Sequence, residues 1–95
     1  MAELDEQVVA PARLKLLVTL TAVSEAEFAT VRDSLEVSDS VLSKHLTALE
    51  SVGYVKRRKG VHRGHRTTWI SLTPGGRKAL TAHIAALRAL IDGAT

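Results

Sequence analysis

The sequence contains no cysteine and few aromatic residues. Its 95 residues include one Trp, one Tyr and one Phe, yet 45% of the chain is apolar. The absence of cysteine excludes a disulfide framework and a thiolate metal site. Scarce aromatics in an apolar chain predict an aliphatic, helix-rich interior. Because a chain of this length builds a single core, we expect one domain over residues 1–95.

Long apolar runs are also missing. No run approaches the roughly 20 residues that a membrane-spanning helix needs. The first residues, MAELDEQ, are acidic and lack the charged-then-apolar layout of a signal peptide. We therefore expect residues 1–7 to be flexible and the protein to be cytoplasmic.

Acidic residues are absent from one segment, 56–66, which holds six of the thirteen Lys and Arg side chains. The rest of the chain has seven cations against ten acids, so the net charge of +3 conceals a concentrated basic patch. Such a patch on an otherwise acidic body is typical of a surface that binds phosphates. The cations expected to contact DNA are Lys56, Arg57, Arg58, Lys59, Arg63 and Arg66.

The segment before this patch has the pattern of a helix with an apolar and a polar face. Leu42, Leu46 and Leu49 recur at helical spacing, Ser38 is a good N-cap, and Gly53 stands where the helix should stop. Short polar side chains and one cation on the other face can approach base edges. We predict a recognition helix at 38–52 in the major groove, with DNA contacts from Ser40, Ser43, Lys44 and Thr47.

The other periodicities place this helix in a winged helix-turn-helix. They predict helices at 11–23 and 29–35 before it, strands at 54–59 and 66–72 after it, and a last helix beginning at Thr73 and Pro74. Phe28 fits either the end of a short strand or the start of a helix. The expected fold is mainly α with a small β-hairpin and an added C-terminal dimerisation helix.

Both terminal helices carry two apolar stripes, more than a single core of this size should cover. The excess predicts that two copies of the chain pair through these helices. The residues expected at the dimer interface are Leu16, Leu20, His83, Leu87, Leu90 and Ile91.

Four strings in order resemble the small winged-helix transcriptional regulators of bacteria and archaea related to the MarR and ArsR families, with the compact MarR-like group fitting best. The strings are Pro11-Ala12-Arg13-Leu14 with Leu16-Leu17, Leu42-Ser43-Lys44-His45-Leu46 with Leu49-Glu50, Gly53-Tyr54-Val55, and Leu72-Thr73 with Gly76-Arg77. The resemblance covers residues 8–91. It implies a homodimer joined through its terminal helices, a recognition helix at 38–52 and a wing at 56–68. We expect this basic wing to lie on the DNA backbone or in the minor groove, which Arg63 at its tip could enter.

Together these features predict a homodimeric, sequence-specific regulator of transcription that binds double-stranded DNA at a near-palindromic site. The alternative is a winged helix used as a protein-interaction or assembly scaffold. An RNA binder is disfavoured by the few aromatics, although Trp69 could stack on a base.

An enzyme is not expected, because the chain has no nucleophile elbow and no phosphate-cradling glycine loop. His62 and His65 lie three apart, but no third ligand is near them in sequence, so we expect no metal and no cofactor. His45 is expected to pack half-buried.

Overall fold

The computed structural model describes residues 4–93 and shows five helices and three strands in that range. In chain order the elements are α1 (Glu6–Val9), α2 (Pro11–Thr21), β1 (Ala26–Glu27), α3 (Phe28–Leu35), α4 (Asp39–Ser51), β2 (Val55–His62), β3 (His65–Leu72) and α5 (Pro74–Gly93). Phe28 therefore begins a helix, directly after the short strand β1.

Local signals set both ends of α4. The Ser38 side chain accepts a hydrogen bond from the Val41 amide at 3.2 Å and so caps the N-terminus. At the other end Gly53 has a left-handed φ of 77°. Its amide bonds the Glu50 carbonyl and the Tyr54 amide bonds the Leu49 carbonyl, each at 2.9 Å, which is the Schellman pattern. The predicted start and stop signals are those that the chain uses.

Of the segment 1–7, which was expected to be flexible, residues 6 and 7 belong to α1. Asp5 caps α1 by accepting from the Gln7 amide at 2.8 Å, and it also accepts a hydrogen bond from the Tyr54 hydroxyl. Val8 is completely buried. These contacts tie residues 5–8 to the rest of the domain, while residues 1–3 lie outside the described range.

The sheet is antiparallel, in the order β1-β3-β2. The hairpin between β2 and β3 turns on only two residues, Arg63 and Gly64, with φ values of 51° and 81°. Positive φ at both positions is required by the tight type I′ turn that matches the twist of paired strands. β2 and β3 are accordingly longer than the strands predicted at 54–59 and 66–72. They stay paired as far as His62 and His65, next to the turn.

One aliphatic core holds the helices against the sheet, and its fully buried members include Leu16, Leu17, Leu20, Leu42, Leu46, Leu49 and Ile70. The start of α5 is locked to the end of α4 and the start of β2. Thr73 donates from its hydroxyl to the Gly53 carbonyl at 2.5 Å and from its amide to the Tyr54 carbonyl at 3.0 Å. A Cβ at Gly76 would overlap that same Tyr54 carbonyl, so only glycine permits this close approach.

Candidate nucleic-acid interface

The polar face of α4 lies open to solvent. Leu42, Leu46 and Leu49 anchor the opposite face in the core at 0% exposure. The four predicted groove residues share one shallow surface depression with Ala48 and Ser51, and all but the half-buried Ser43 are exposed: Ser40, Ser43, Lys44 and Thr47. The structure therefore brings these side chains together on a single accessible stripe, as a groove-reading helix requires.

The turn between α3 and α4 sets the angle of this helix. Glu36 ends α3 with a left-handed φ of 55°. Arg32 on α3 donates to Asp39 in the first turn of α4 at 2.9 Å and to its neighbour Asp33 at 2.9 Å. The Asp33 carboxylate, followed by that of Asp39, raises the pKa of Arg32, so its guanidinium stays charged. α3 thereby braces the N-terminus of α4.

Strand alternation divides the cations of the wing between two faces. Val55 and Ile70 are buried, and side chains two apart on a strand share a face. Arg57 lies opposite Ile70, Lys59 opposite Thr68, and Arg66 opposite Val61, so these three cations share the inner face with the core residues. Lys56 and Arg58 belong to the outer face, and Arg63 is in the turn. The structure thus divides the six cations of the wing into three groups.

The inner face of the wing meets α4 in a cleft of about 370 Å³. The cleft is lined by Phe28, Ser43, Arg57, Arg58, Lys59 and Thr68. Ser43 belongs both to this cleft and to the groove-reading stripe of α4, so the two surfaces are continuous. A single ligand that carries phosphates and base edges can contact both.

Two of the wing arginines are already paired with acids. Arg57 reaches α4, where its Nε donates to Glu50 Oε1 at 2.7 Å and its Nη2 donates to Thr47 Oγ1 at 3.3 Å. Arg58 donates to both carboxylate oxygens of Glu25, from Nε at 2.6 Å and from Nη2 at 2.7 Å. This bond to Arg58 lowers the pKa of Glu25 and raises that of Arg58. Lys56, Lys59, Arg63 and Arg66 are exposed.

The outer face of the wing is covered by Trp69. The Trp69 ring packs edge-on against His62 with centroids 5.5 Å apart, and the Arg58 guanidinium lies 5.8 Å from the ring centroid. Gly60 leaves the space for the indole, since a Cβ there would lie 2.8 Å from Trp69 Cδ1. Trp69 is thus a partly buried cover for the sheet.

The histidines do not gather into a metal-binding cluster. His62 and His65 are cross-strand neighbours, and His62 Nε2 lies 3.9 Å from Glu27 Oε2. Within residues 4–93, no group of three or more His, Asp or Glu side chains is placed to hold a metal ion. His45 is half-buried, and its Nδ1 accepts a hydrogen bond from Arg13 Nε at 3.1 Å.

The residues predicted at a dimer interface separate into two groups. Leu16 and Leu20 are 0% exposed and His83 is 2% exposed, so their own chain covers them and they offer no surface to a partner. α2 packs against α1, α3, α5 and β3, which bury Leu16, Leu17 and Leu20 but leave Val18 47% exposed. Leu87 is half-buried, whereas Leu90 and Ile91 on the last turns of α5 are 60% and 66% exposed.

Glu50, which joins α4 to the wing, was not among the site residues predicted from the sequence. It follows Ser43 and Thr47 at helical spacing, and Arg57 stands a few residues later on the adjacent strand. An acid on the predicted DNA face, followed by a strand of cations, is a signal that could have revealed this pair.

Known proteins share the fold and much of the length. The family model described as a winged helix DNA-binding domain matches residues 12–91. An uncharacterized protein of Methanocaldococcus jannaschii is 35% identical over 72 residues, which span 76% of this chain and 78% of that protein. A transcriptional regulator homologue from Pyrococcus horikoshii OT3 is 27% identical with a TM-score of 0.86, covering 94% of this chain and 88% of that one.

The transcriptional repressor CouR, solved bound to a 23-mer DNA duplex, shares the fold with a TM-score of 0.72. It is 23% identical, and the match covers 81% of this chain and 54% of that one. Among the helices that the structure describes, none has both the length and the apolar character needed to span a bilayer.

Proposed function

Because the chain belongs to the winged helix DNA-binding domain family, we propose that it acts in the cytoplasm as a homodimeric regulator of transcription that binds a specific double-stranded DNA site. The predicted winged helix-turn-helix fold is confirmed, as is the resemblance to regulators of the MarR-like winged-helix type. One observation carries the proposal: the exposed polar stripe of α4 and the basic inner face of the wing form one continuous surface that meets at Ser43.

Sequence choice in this proposal comes from the N-terminal half of α4. Ser40, Ser43 and Lys44 present hydroxyl and ammonium groups to base edges in the major groove. Thr47 is less available, because its hydroxyl donates to the Ser43 carbonyl at 2.9 Å and accepts from Arg57.

Affinity in this proposal comes from the wing. Arg57, Lys59 and Arg66 on the inner face and Arg63 in the turn neutralise backbone phosphates and release counterions. Lys56 and Arg58, on the outer face, contribute long-range attraction rather than close contacts. The six cations named from the sequence therefore have unequal roles.

Dimerisation is assigned to the last turns of α5. Leu90 and Ile91 form an exposed apolar surface at the end of a helix of 20 residues. If a second copy of the chain covers this surface, a two-fold axis relates the recognition helices of the two copies. A near-palindromic DNA site follows from that symmetry.

In vitro selection from a random double-stranded library tests the proposal. We expect enrichment of an inverted repeat whose half-sites lie about one helical turn apart. Recovery of no enriched sequence, together with loss of DNA retention at about 0.2 M salt, would indicate the scaffold function instead.

A further inference from the structure

Glu50 is an acidic residue inside the basic surface proposed to bind DNA. It lies on the same stripe of α4 as Ser43 and Thr47, and its side chain is 31% exposed. A carboxylate so close to a DNA strand repels phosphates, and simple charge considerations predict that its removal tightens binding. Its contacts point to the opposite effect.

Glu50 and Thr47 hold the Arg57 guanidinium from one side. Glu50 Oε1 accepts from Nε at 2.7 Å and also pairs with Nη2, while Thr47 Oγ1 accepts from Nη2 at 3.3 Å. The Thr47 hydroxyl hydrogen is directed to the Ser43 carbonyl, which leaves its oxygen lone pairs for Arg57. A guanidinium has five N–H donors, and these contacts use Nε and Nη2, so both Nη1 hydrogens are left for another acceptor.

The held guanidinium borders the cleft between α4 and the wing. Besides Arg57, the cleft wall includes Lys59 and the hydroxyl-bearing Ser43 and Thr68, whereas Glu25 holds the guanidinium of Arg58 on the outer face. Cationic and hydroxyl groups around a small open space are the chemistry that recognises a phosphodiester. An arginine that is already held in place loses less conformational freedom on binding than a mobile one. It therefore binds a phosphate more tightly when that phosphate lies where the held guanidinium points.

We propose that Glu50 is a positioning residue that presets Arg57 for one DNA phosphate at this cleft and thereby fixes the register of α4 in the major groove. The inference rests on the proposed function. Phosphate contacts set the register and orientation of a protein on the duplex, and base contacts then read the sequence. Without its contact to Glu50, Arg57 keeps its charge but no longer fixes the register of α4 on the DNA.

Two substitutions at one position separate positioning from charge. Glu50→Ala and Glu50→Gln remove the same charge, but only glutamine keeps an oxygen that can accept from Arg57 Nε. We expect Glu50→Ala to lower the ratio of specific to random DNA affinity by about tenfold, and Glu50→Gln to lower it by less than about threefold. Both variants should bind random DNA at least as tightly as the unmodified protein, because each removes one repulsive carboxylate.

Glu25 provides the matched control. It pairs with Arg58, another cation of the wing, so Glu25→Ala and Glu25→Gln make the same charge changes away from Arg57. Neither should change the ratio of specific to random affinity. Arg57→Lys is a second route to the same loss, since a lysine keeps the charge but cannot form the forked contact. In the double variant Glu50→Ala/Arg57→Ala, the ratio should fall no further than in Arg57→Ala alone.

The test is to titrate each variant with the specific and with the random DNA and to compare the two affinities. Thermal unfolding of each variant checks that it is folded. Equal gains in specific and random affinity for Glu50→Ala and Glu50→Gln would identify Glu50 as a simple repulsive charge and overturn the inference. An unchanged ratio in Arg57→Lys also overturns it. If the unmodified protein binds neither DNA at low salt, the proposed function itself is wrong and the inference is lost with it.

Discussion

His45 links α4 to the N-terminal helices through a hydrogen bond that requires its neutral form. Its Nδ1 accepts from Arg13 Nε, and Arg13 in turn donates to Gln7 on α1 at 2.6 Å. Burial, and then the Arg13 charge, lower the pKa of His45 below its ordinary value of 6.5. The imidazole in the unfolded chain therefore takes up a proton at a higher pH than the imidazole in the folded chain.

The free energy of unfolding should consequently decrease as the pH falls below 6.5, because the unfolded state binds more protons in that window. His45→Gln keeps an acceptor for Arg13 but removes the titrating group. Urea unfolding of both proteins across this window should show a weaker pH dependence in the variant. The same dependence in both would mean that His45 is not the titrating group.

Arg63 combines a strained backbone with a charge at the tip of the wing. Asn tolerates its left-handed φ of 51°, and Asn-Gly is a favoured pair for this turn, so Arg63→Asn should leave the melting temperature unchanged or raise it. The slope of log affinity against log salt should decrease by roughly 0.9 on specific and random DNA alike. Arg63→Lys, which keeps the charge, serves as the control, and an equal slope for Asn and Lys would exclude a phosphate contact.

Glu36 closes α3 in the same left-handed conformation and so determines the helix-turn-helix angle. Glu36→Gly should raise the free energy of unfolding by about 0.5–1 kcal/mol, since glycine adopts positive φ without the Cβ clash. Glu36→Ala retains the clash and should not stabilise the protein. Chemical denaturation of both variants measures the difference, and equal stability would show that the turn is not strained.

Elements with signals in their own sequence were predictable, and elements that depend on distant contacts were not. Ser38, Gly53 and Pro74 gave the bounds of α4 and the start of α5 to within one residue. By contrast, α1 is four residues long and depends on the Asp5–Tyr54 hydrogen bond across 49 positions, which no periodicity reveals. Leu16 and Leu20, predicted at a dimer interface, are buried within their own chain, and the number of elements that cover α2 is a property of the tertiary fold.

For the whole molecule, the exposed end of α5 predicts how two copies associate. Ile91→Glu should convert a dimer to a monomer and weaken association by at least on the order of a hundredfold, because the charge would be buried without a partner. Val61→Glu is the matched control, since Val61 on the wing is also 66% exposed. Light scattering at micromolar concentration reports the mass, and a monomeric unmodified protein, or a dimer in both variants, would contradict the assignment.

The contact between Gly76 and the Tyr54 carbonyl has a mechanical consequence for operator choice. Together with the Thr73 hydrogen bonds, it ties the first turn of α5 to Gly53 and Tyr54, which connect α4 to β2. We expect this link to hold the two recognition helices of the proposed homodimer at a fixed spacing. A base pair inserted between the half-sites adds about 3.4 Å along the axis, and it is the DNA, by bending or twisting, that must absorb the mismatch.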